Sequence, residues 1–385
     1  MLILRVMDKL NDRNLFGLFL QYFNIDKIKK LMEKDKSIFN FIIKNKWYIS
    51  NLDSNTLHWF KFGFKNICKL NISYSYIQQI SKELVNLRIL YCSYTEVKII
   101  PKELVNLRIL NCKETDVNYI PKELVNLEYL DCQNTQIREI PKELINLVYL
   151  DFGDTPKELL NLRRLDYLNT KIKYIPKEFI NLKYLDCAYT EVKIIPKELI
   201  KLEYLDCYKT KVEEIPKELT KLKYLDCMCT KTKYIPETLV NLETLYCANT
   251  RLKGNIPEEL KKLKLLNCKN TEIEIIPETL INLDLLDCSN TKVNYIPNSL
   301  VNLTKLSCVD TKVNYISKYL VNLTFLNCDY AKIKTIPKEL VNLEYLHCEN
   351  TNVNYIPKEL VNLKYINYKK ISRFKKDRKG NILLN

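Results

Sequence analysis

The feature that most constrains this chain is a sequence period of 20 residues. Residues 101–120 read PKELVNLRILNCKETDVNYI, residues 121–140 read PKELVNLEYLDCQNTQIREI, and residues 341–360 carry the same frame. Numbered from Leu127, one unit places Leu127, Leu130, Cys132, Thr135, Ile137, Ile140, Pro141 and Leu144 at fixed steps. In-phase units begin at Ile67, Leu87 and Leu107 and continue to Leu363, about sixteen across residues 61–368. A period this short and this persistent predicts an array of stacked units.

Within a unit, Leu130 and Cys132 alternate with Asp131. A short strand would point the first two inward and the third outward. Stacking units sets those strands side by side as a parallel sheet on one face. One unit buries roughly six apolar side chains, worth about 1.5–3 kcal/mol each. Ordering its residues costs on the order of 1.5 kcal/mol per residue, so a lone unit cannot stand and a stack can. The Ile-Pro-Lys-Glu-Leu stretch reverses the chain, because proline tolerates a first helical position where an N–H would be unpaired anyway. Too few residues remain for an α-helix, which predicts 3₁₀ turns and extended backbone there. Two units depart from the period. Thr155 runs straight into Pro156, five residues short, which predicts a local bend near 152–157; the unit holding Leu252-Lys-Gly-Asn-Ile-Pro257 is one residue long.

The frame L-x-x-L-x-C-x-x-T-x-[IV]-x-x-I-P-K-E-L resembles the leucine-rich repeat, L-x-x-L-x-L-x-x-[N/C]-x-L. The resemblance implies an α/β solenoid with a curved parallel sheet on its concave face, a thin convex side and binding on the concave strands. An asparagine usual in that family near the strand's end is replaced here by a threonine column from Thr95 to Thr351, broken by Ala331. A hydroxyl satisfies fewer backbone groups than a carboxamide.

Other classes are disfavoured. The five glycines, Gly17, Gly63, Gly153, Gly254 and Gly380, form no phosphate-cradling loop. Two histidines, His58 and His347, leave little room for histidine chemistry, and His347 is expected as exposed surface. No run of 18 apolar residues and no secretory leader is present. The net charge of +15 divides into +7 over residues 1–80, +1 over 81–363 and +7 over 364–385. A nucleic-acid reader would carry its basic stripe along the body, so nucleic acid is not the expected partner. The Lys, Asn, Ile and Tyr bias fits an AT-rich coding genome, such as those of some large DNA viruses and protists.

Twelve of the 14 cysteines share one repeat position: Cys92, Cys112, Cys132, Cys187, Cys207, Cys227, Cys247, Cys268, Cys288, Cys308, Cys328 and Cys348. Neighbouring parallel strands lie about 4.8 Å apart, whereas disulfides want Cβ atoms about 3.8 Å apart. No unit supplies a paired zinc-ligand spacing. The column therefore reads as small core residues, with no metal or cofactor, in a reducing, intracellular compartment: cytoplasmic, with nuclear targeting by the basic tail as a variant. Cys68 and Cys229 stand off the column, and Cys229 is expected on an exposed rim.

Two outward strand columns are the candidate partner-binding surface. One is aromatic: Tyr129, Tyr149, Tyr184, Tyr204 and Tyr224, then Phe325, Tyr345 and Tyr365. The other is acidic: Asp131, Asp151, Asp166, Asp186, Asp206 and Asp226, then Asp287. Like charges on adjacent strands repel, so a run of aspartates needs an offset from nearby lysines or from a basic ligand. Tyrosines beside carboxylates suit Lys or Arg side chains. The expectation is a protein scaffold without catalysis, holding a basic segment of a partner at residues 127–228. The alternative is that tandem duplication copied the columns and the tyrosines only pack. Carboxylates in an open trough lack the water-excluding pocket that catalysis needs.

The ends differ from the middle. Residues 1–60 lie outside the period, and Leu15, Leu18, Phe19, Tyr22, Ile25, Ile28 and Leu31 fall at helical spacing. The stretch is similar to an F-box, which implies that these residues would grip the adaptor of a cullin-type ubiquitin ligase while the repeats choose the substrate. A plain helical cap over the solenoid's apolar end is the other reading. Residues 369–385, containing Lys369, Lys370, Arg373, Lys375, Lys376, Arg378 and Lys379, read as a solvated basic tail.

Overall fold

The structure, a computed structural model, describes residues 67–152, 155–367 and 375–384, together with the backbone of 47–50 and 369–370. It divides into two compact units, residues 1–166 and 167–385. In the first, β1 (Trp47–Ser50), β2 (Ile67–Asn71), β3 (Ile89–Tyr91), β4 (Ile109–Asn111), β5 (Tyr129–Asp131), β6 (Tyr149–Asp151) and β7 (Arg164–Asp166) pair in chain order, each parallel to the next. In the second, the ladder runs through β8 (Tyr184–Asp186), β9 (Tyr204–Asp206), β10 (Tyr224–Asp226), β11 (Thr244–Tyr246), β13 (Leu265–Asn267), β15 (Leu285–Asp287), β16 (Lys305–Ser307), β17 (Phe325–Asn327), β18 (Tyr345–His347) and β20 (Tyr365–Ile366). Two further strands, β12 (Lys253–Asn255) and β14 (Glu272–Ile275), form a separate parallel pair. Each repeat thus contributes one rung of a parallel-strand solenoid.

The period sets the register. Leu110 pairs with Leu130 and Leu205 with Leu225, so each strand's central leucine stacks on its neighbour's and is fully buried. The chain then reverses in two three-residue steps: Leu104 N–H donates to the Pro101 carbonyl at 3.2 Å, and Leu107 N–H to that of Leu104 at 2.9 Å. These are isolated 3₁₀-type turns, since too few residues remain for a continuous helix. Asparagines of the Val-Asn-Leu and Ile-Asn-Leu segments tie their unit to the one before, as Asn126 Nδ2 donates to the Val105 carbonyl at 2.9 Å and Asn322 Nδ2 to that of Val301 at 2.9 Å.

The threonine column acts within its own unit. Thr115 Oγ1 donates to the Cys112 carbonyl at 2.6 Å, and Thr190 Oγ1 to that of Cys187 at 2.6 Å. The residue just before each threonine is left-handed, whatever its type: Asn134 at φ 54°, Tyr189 at 58°, Lys209 at 53° and Cys229 at 57°. Asparagine accepts this conformation more readily than tyrosine or lysine. It also places Cys229 in a turn, half-buried, where an exposed rim had been expected.

The cysteine column is buried and its thiols are free, as expected. Several thiols point along the ladder: Cys207 Sγ lies 3.2 Å from the Asp226 carbonyl and Cys187 Sγ 3.3 Å from that of Asp206. Burial pushes Cys92 and Cys308 up to about 12. The column is interrupted at Phe152 and Tyr167, and Tyr167 is 1% exposed. In the shortened unit, β7 still pairs in register with β6, Leu150 opposite Leu165. The five missing residues come out of the extended segment between Thr155 and Pro156, and residues 153–154, with the bend expected there, lie outside the described residues.

Both ends depart from expectation. Where a helical cap was expected, Trp47–Ser50 is a strand laid parallel against β2. Its aromatic and β-branched residues favour extended backbone and occupy the open edge of that strand. The remainder of the leading segment, including Leu15, Leu18, Phe19, Tyr22, Ile25, Ile28 and Leu31, lies outside the described residues. The basic tail is not simply solvated. Its β21 (Lys369–Lys370) pairs antiparallel with β20, and β22 (Ile382–Leu383) pairs antiparallel with β19 (Tyr355–Ile356). Ile382 is 4% exposed, so the tail covers the apolar end of the last repeat.

Candidate binding face

The two outward columns lie where strand alternation puts them, on either side of the buried leucine of each rung. The tyrosines are half-buried and stack face to face. In the first unit Tyr129 and Tyr149 have ring centroids 4.1 Å apart at 5°. In the second, Tyr184–Tyr204 and Tyr204–Tyr224 are both at 4.2 Å, at 10° and 6°. Stacking follows from register: parallel strands repeat every 4.8 Å or so, and the rings close that gap. Burial, followed by neighbouring tyrosines and aspartates, holds the phenols of Tyr149 and Tyr204 well above their ordinary value, and that of Tyr224 at about 12. The column therefore stays neutral. In the remaining positions Tyr345 stacks on Tyr365 at 5.4 Å, while Phe325 meets the ring of His347 at 5.8 Å.

The aspartates do something the sequence reading missed. Asp186, Asp206 and Asp226 each accept, through Oδ1, the N–H two residues on: Ala188 at 3.0 Å, Tyr208 at 2.9 Å and Met228 at 2.9 Å. Asp287 does the same with Ser289 at 3.0 Å, and Asp131 with Gln133 at 3.4 Å. These are Asx turns that close the end of each strand. The signal was in the sequence: Asn71, Asn111, Asn267 and Asn327 stand in the same column, and each accepts a main-chain N–H two residues on. Asp131 also accepts a hydrogen bond from Asn111 Nδ2 at 3.0 Å.

Charge at this column is costly. Asp131, Asp151 and Asp226 are buried, at 9%, 6% and 7% exposure, while Asp166, Asp186 and Asp206 are half-buried. Burial raises the carboxyl of Asp131, and raises that of Asp226 to about 6, with Asp186 adding to the latter. Lysines and glutamates alternate one residue before the tyrosines, so that Glu203 lies 3.1 Å from Lys183 and 2.9 Å from Lys223. These exposed pairs satisfy one another and contribute little to stability.

One cation does sit on the aromatic column. Arg164 occupies the tyrosine position in β7, and its guanidinium lies 5.5 Å from the ring centre of Tyr149. His347, expected on the surface, is 5% exposed. It occupies the same column as the buried aspartates, beside the Phe325 ring. Among the described residues, no group of three or more His, Cys, Asp or Glu is placed to hold a metal ion, and no helix is long and apolar enough to cross a membrane.

The family model of the leucine-rich repeat matches residues 241–263, which supply β11 and the turn before β13. One leucine-centred rung per repeat continues through the rest of the array. The chain folds as a leucine-rich-repeat solenoid. A leucine-rich-repeat protein of Leptospira interrogans is 25% identical, with a TM-score of 0.63 over 84% of this chain and 89% of that one. The plant peptide hormone receptor RGFR1, solved in complex with RGF2, is 23% identical with a TM-score of 0.65, over 84% of this chain and 61% of the receptor. The functional domain of InlJ from Listeria monocytogenes, which includes a cysteine ladder, is 20% identical with a TM-score of 0.62, over 79% and 68%. No curated protein matches this leucine-rich-repeat chain in sequence.

Proposed function

We propose that this solenoid is a protein-interaction scaffold whose strand face, concave in the manner of its fold, takes a Lys- or Arg-bearing segment of a partner protein. The observation that carries the reading is the identity of the column residue. Asn71, Asn111, Asn267 and Asn327 make the same turn without charge. Yet Asp131, Asp151 and Asp166 in the first unit, and Asp186, Asp206 and Asp226 in the second, carry carboxylates. A carboxylate where a neutral residue would serve the fold, opposed by burial at Asp131 and Asp226, points to a role outside the fold. A basic side chain docked there supplies the offsetting charge. The chain's own Arg164, over Tyr149, illustrates how a partner's guanidinium would lie on the tyrosine column. That a plant receptor of similar fold is solved in complex with RGF2 supports the use of such solenoids as ligand-holding surfaces.

The test is affinity capture followed by mass spectrometry with the wild-type chain and with Asp186→Lys/Asp206→Lys. Proteins retained by the wild type and lost from the folded double variant support the proposal; an unchanged set contradicts it. A second contact, with the adaptor of a cullin-type ubiquitin ligase, rests on the similarity to an F-box of the stretch holding Leu15, Leu18, Phe19, Tyr22, Ile25, Ile28 and Leu31 alone.

A further inference from the structure

A second surface lies in the unit of residues 167–385, on the side formed by the Ile-Pro turns. A groove of about 850 Å³ crosses successive repeats there. Tyr234, Ile275 and Tyr295 are among the residues that line it. Gly254, in the lengthened segment just before the lining residues Asn255 and Ile256, stands open: an added Cβ would meet no atom within 4 Å. Glu237, Glu258, Glu259 and Glu278 line it as well. These four glutamates carry no ion pair among the described residues, and Lys217 is the one basic residue lining the groove.

The glutamates are a departure from the repeat. The residue after the turn's proline or serine is lysine at Lys177, Lys197 and Lys217, and again at Lys318, Lys338 and Lys358. Only in three consecutive units does it become Glu237, Glu258 and Glu278, and these are the units that wall the groove. The same stretch contains the one-residue insertion and the β12–β14 pair. A charge reversal repeated three times, an inserted glycine and an open groove therefore coincide in one place.

We infer that this groove binds an extended segment of a partner protein in which basic and aliphatic residues alternate. In extended backbone, successive side chains point to opposite sides. One set would then meet Tyr234, Ile275 and Tyr295 while the other met the carboxylates. Lysine stems also cover apolar surface while their ammonium groups reach the glutamates. The surface is separate from the aspartate and tyrosine columns, so the inference stands or falls independently of them.

The test uses the full chain and a fluorescein-labelled octapeptide alternating lysine and valine, followed by anisotropy at low and moderate salt. Binding is expected to weaken with salt and to fall at least about tenfold, roughly 1.4 kcal/mol, in Glu237→Lys/Glu258→Lys/Glu278→Lys. That variant restores the lysine that most other repeats carry, so its fold is expected to be unaffected, which circular dichroism checks. Tyr295→Ala should weaken binding several-fold, and Asp186→Lys/Asp206→Lys should leave it unchanged. Equal binding by the triple variant would overturn the inference, as would loss of the peptide in the aspartate variant. Failure of the wild type to bind would overturn it too, whether or not the chain associates with itself through this groove.

Discussion

Asp226 accepts the Met228 N–H at 2.9 Å through a carboxyl that burial holds near 6. The same contact closes the strand and leaves a charge in a position that resists it. Because the folded value lies above the ordinary 3.8, the folded chain binds more protons than the unfolded chain between those two values. Its stability contribution is therefore greatest at low pH and declines as pH rises from about 4 to about 6. Asp226→Asn keeps the acceptor and removes the charge. It should raise stability at pH 7 by on the order of 1 kcal/mol, after allowance for solvent screening, and flatten the pH dependence in that window. Urea melts at pH 4 and pH 7 check both. A loss of stability at pH 7 would show that the carboxylate is held by an attraction greater than the burial it suffers.

Tyr204 lies between two parallel rings, those of Tyr184 and Tyr224, each 4.2 Å away. Tyr204→Ala removes both stacks and should cost about 1–3 kcal/mol. Tyr204→Phe retains the ring and should be within about 0.5 kcal/mol of the wild type. Thermal melts of the two variants distinguish stacking from a role of the hydroxyl.

The thiol inventory gives a labelling prediction. Of the 14 cysteines, Cys229 is half-buried and the others are buried. A native chain treated with a thiol-specific chromophore should react rapidly at that one residue, and at all 14 in denaturant. Fast labelling of the native cysteine column would mean that the rungs open readily.

The leading segment is tested in the full-length chain. Leu15→Asp/Leu18→Asp should abolish capture of a cullin-ligase adaptor if those residues grip it, while leaving capture through the strand face intact. Absence of adaptor from the wild-type capture would remove that reading.

The fold was legible because the repeat states it many times over. Leu130, Cys132, Ile137 and Ile140 recur at a fixed offset, and every buried rung follows from that recurrence. The paired outward columns were legible from alternation alone. The role of the aspartates was not, because a carboxylate's charge is equally compatible with ligand binding and with accepting a turn N–H; Asn111 and Asn327 in the same column carry the sign of turn closure. His347 departs from expectation because an outward strand position predicts exposure, whereas this column ranges from half-buried to buried and His347 lies at its buried extreme. The tail misled through its basicity: Ile382 and Leu383 carry the pairing that caps the last repeat, and two apolar residues among many charges give little periodic signal. The groove was hidden in another way. Its glutamates are visible as departures from a lysine column, but the hollow they line is a property of the folded backbone, which no residue pattern reports.

The central claim is that the aspartate column binds through its charge and not merely through its shape. The most direct measurement compares the affinity of a captured partner for the wild type and for Asp186→Asn/Asp206→Asn, a variant that preserves both turns. The account expects a folded variant with binding weakened at least about tenfold and with a shallower dependence on salt. Equal affinity and an equal salt dependence would contradict it.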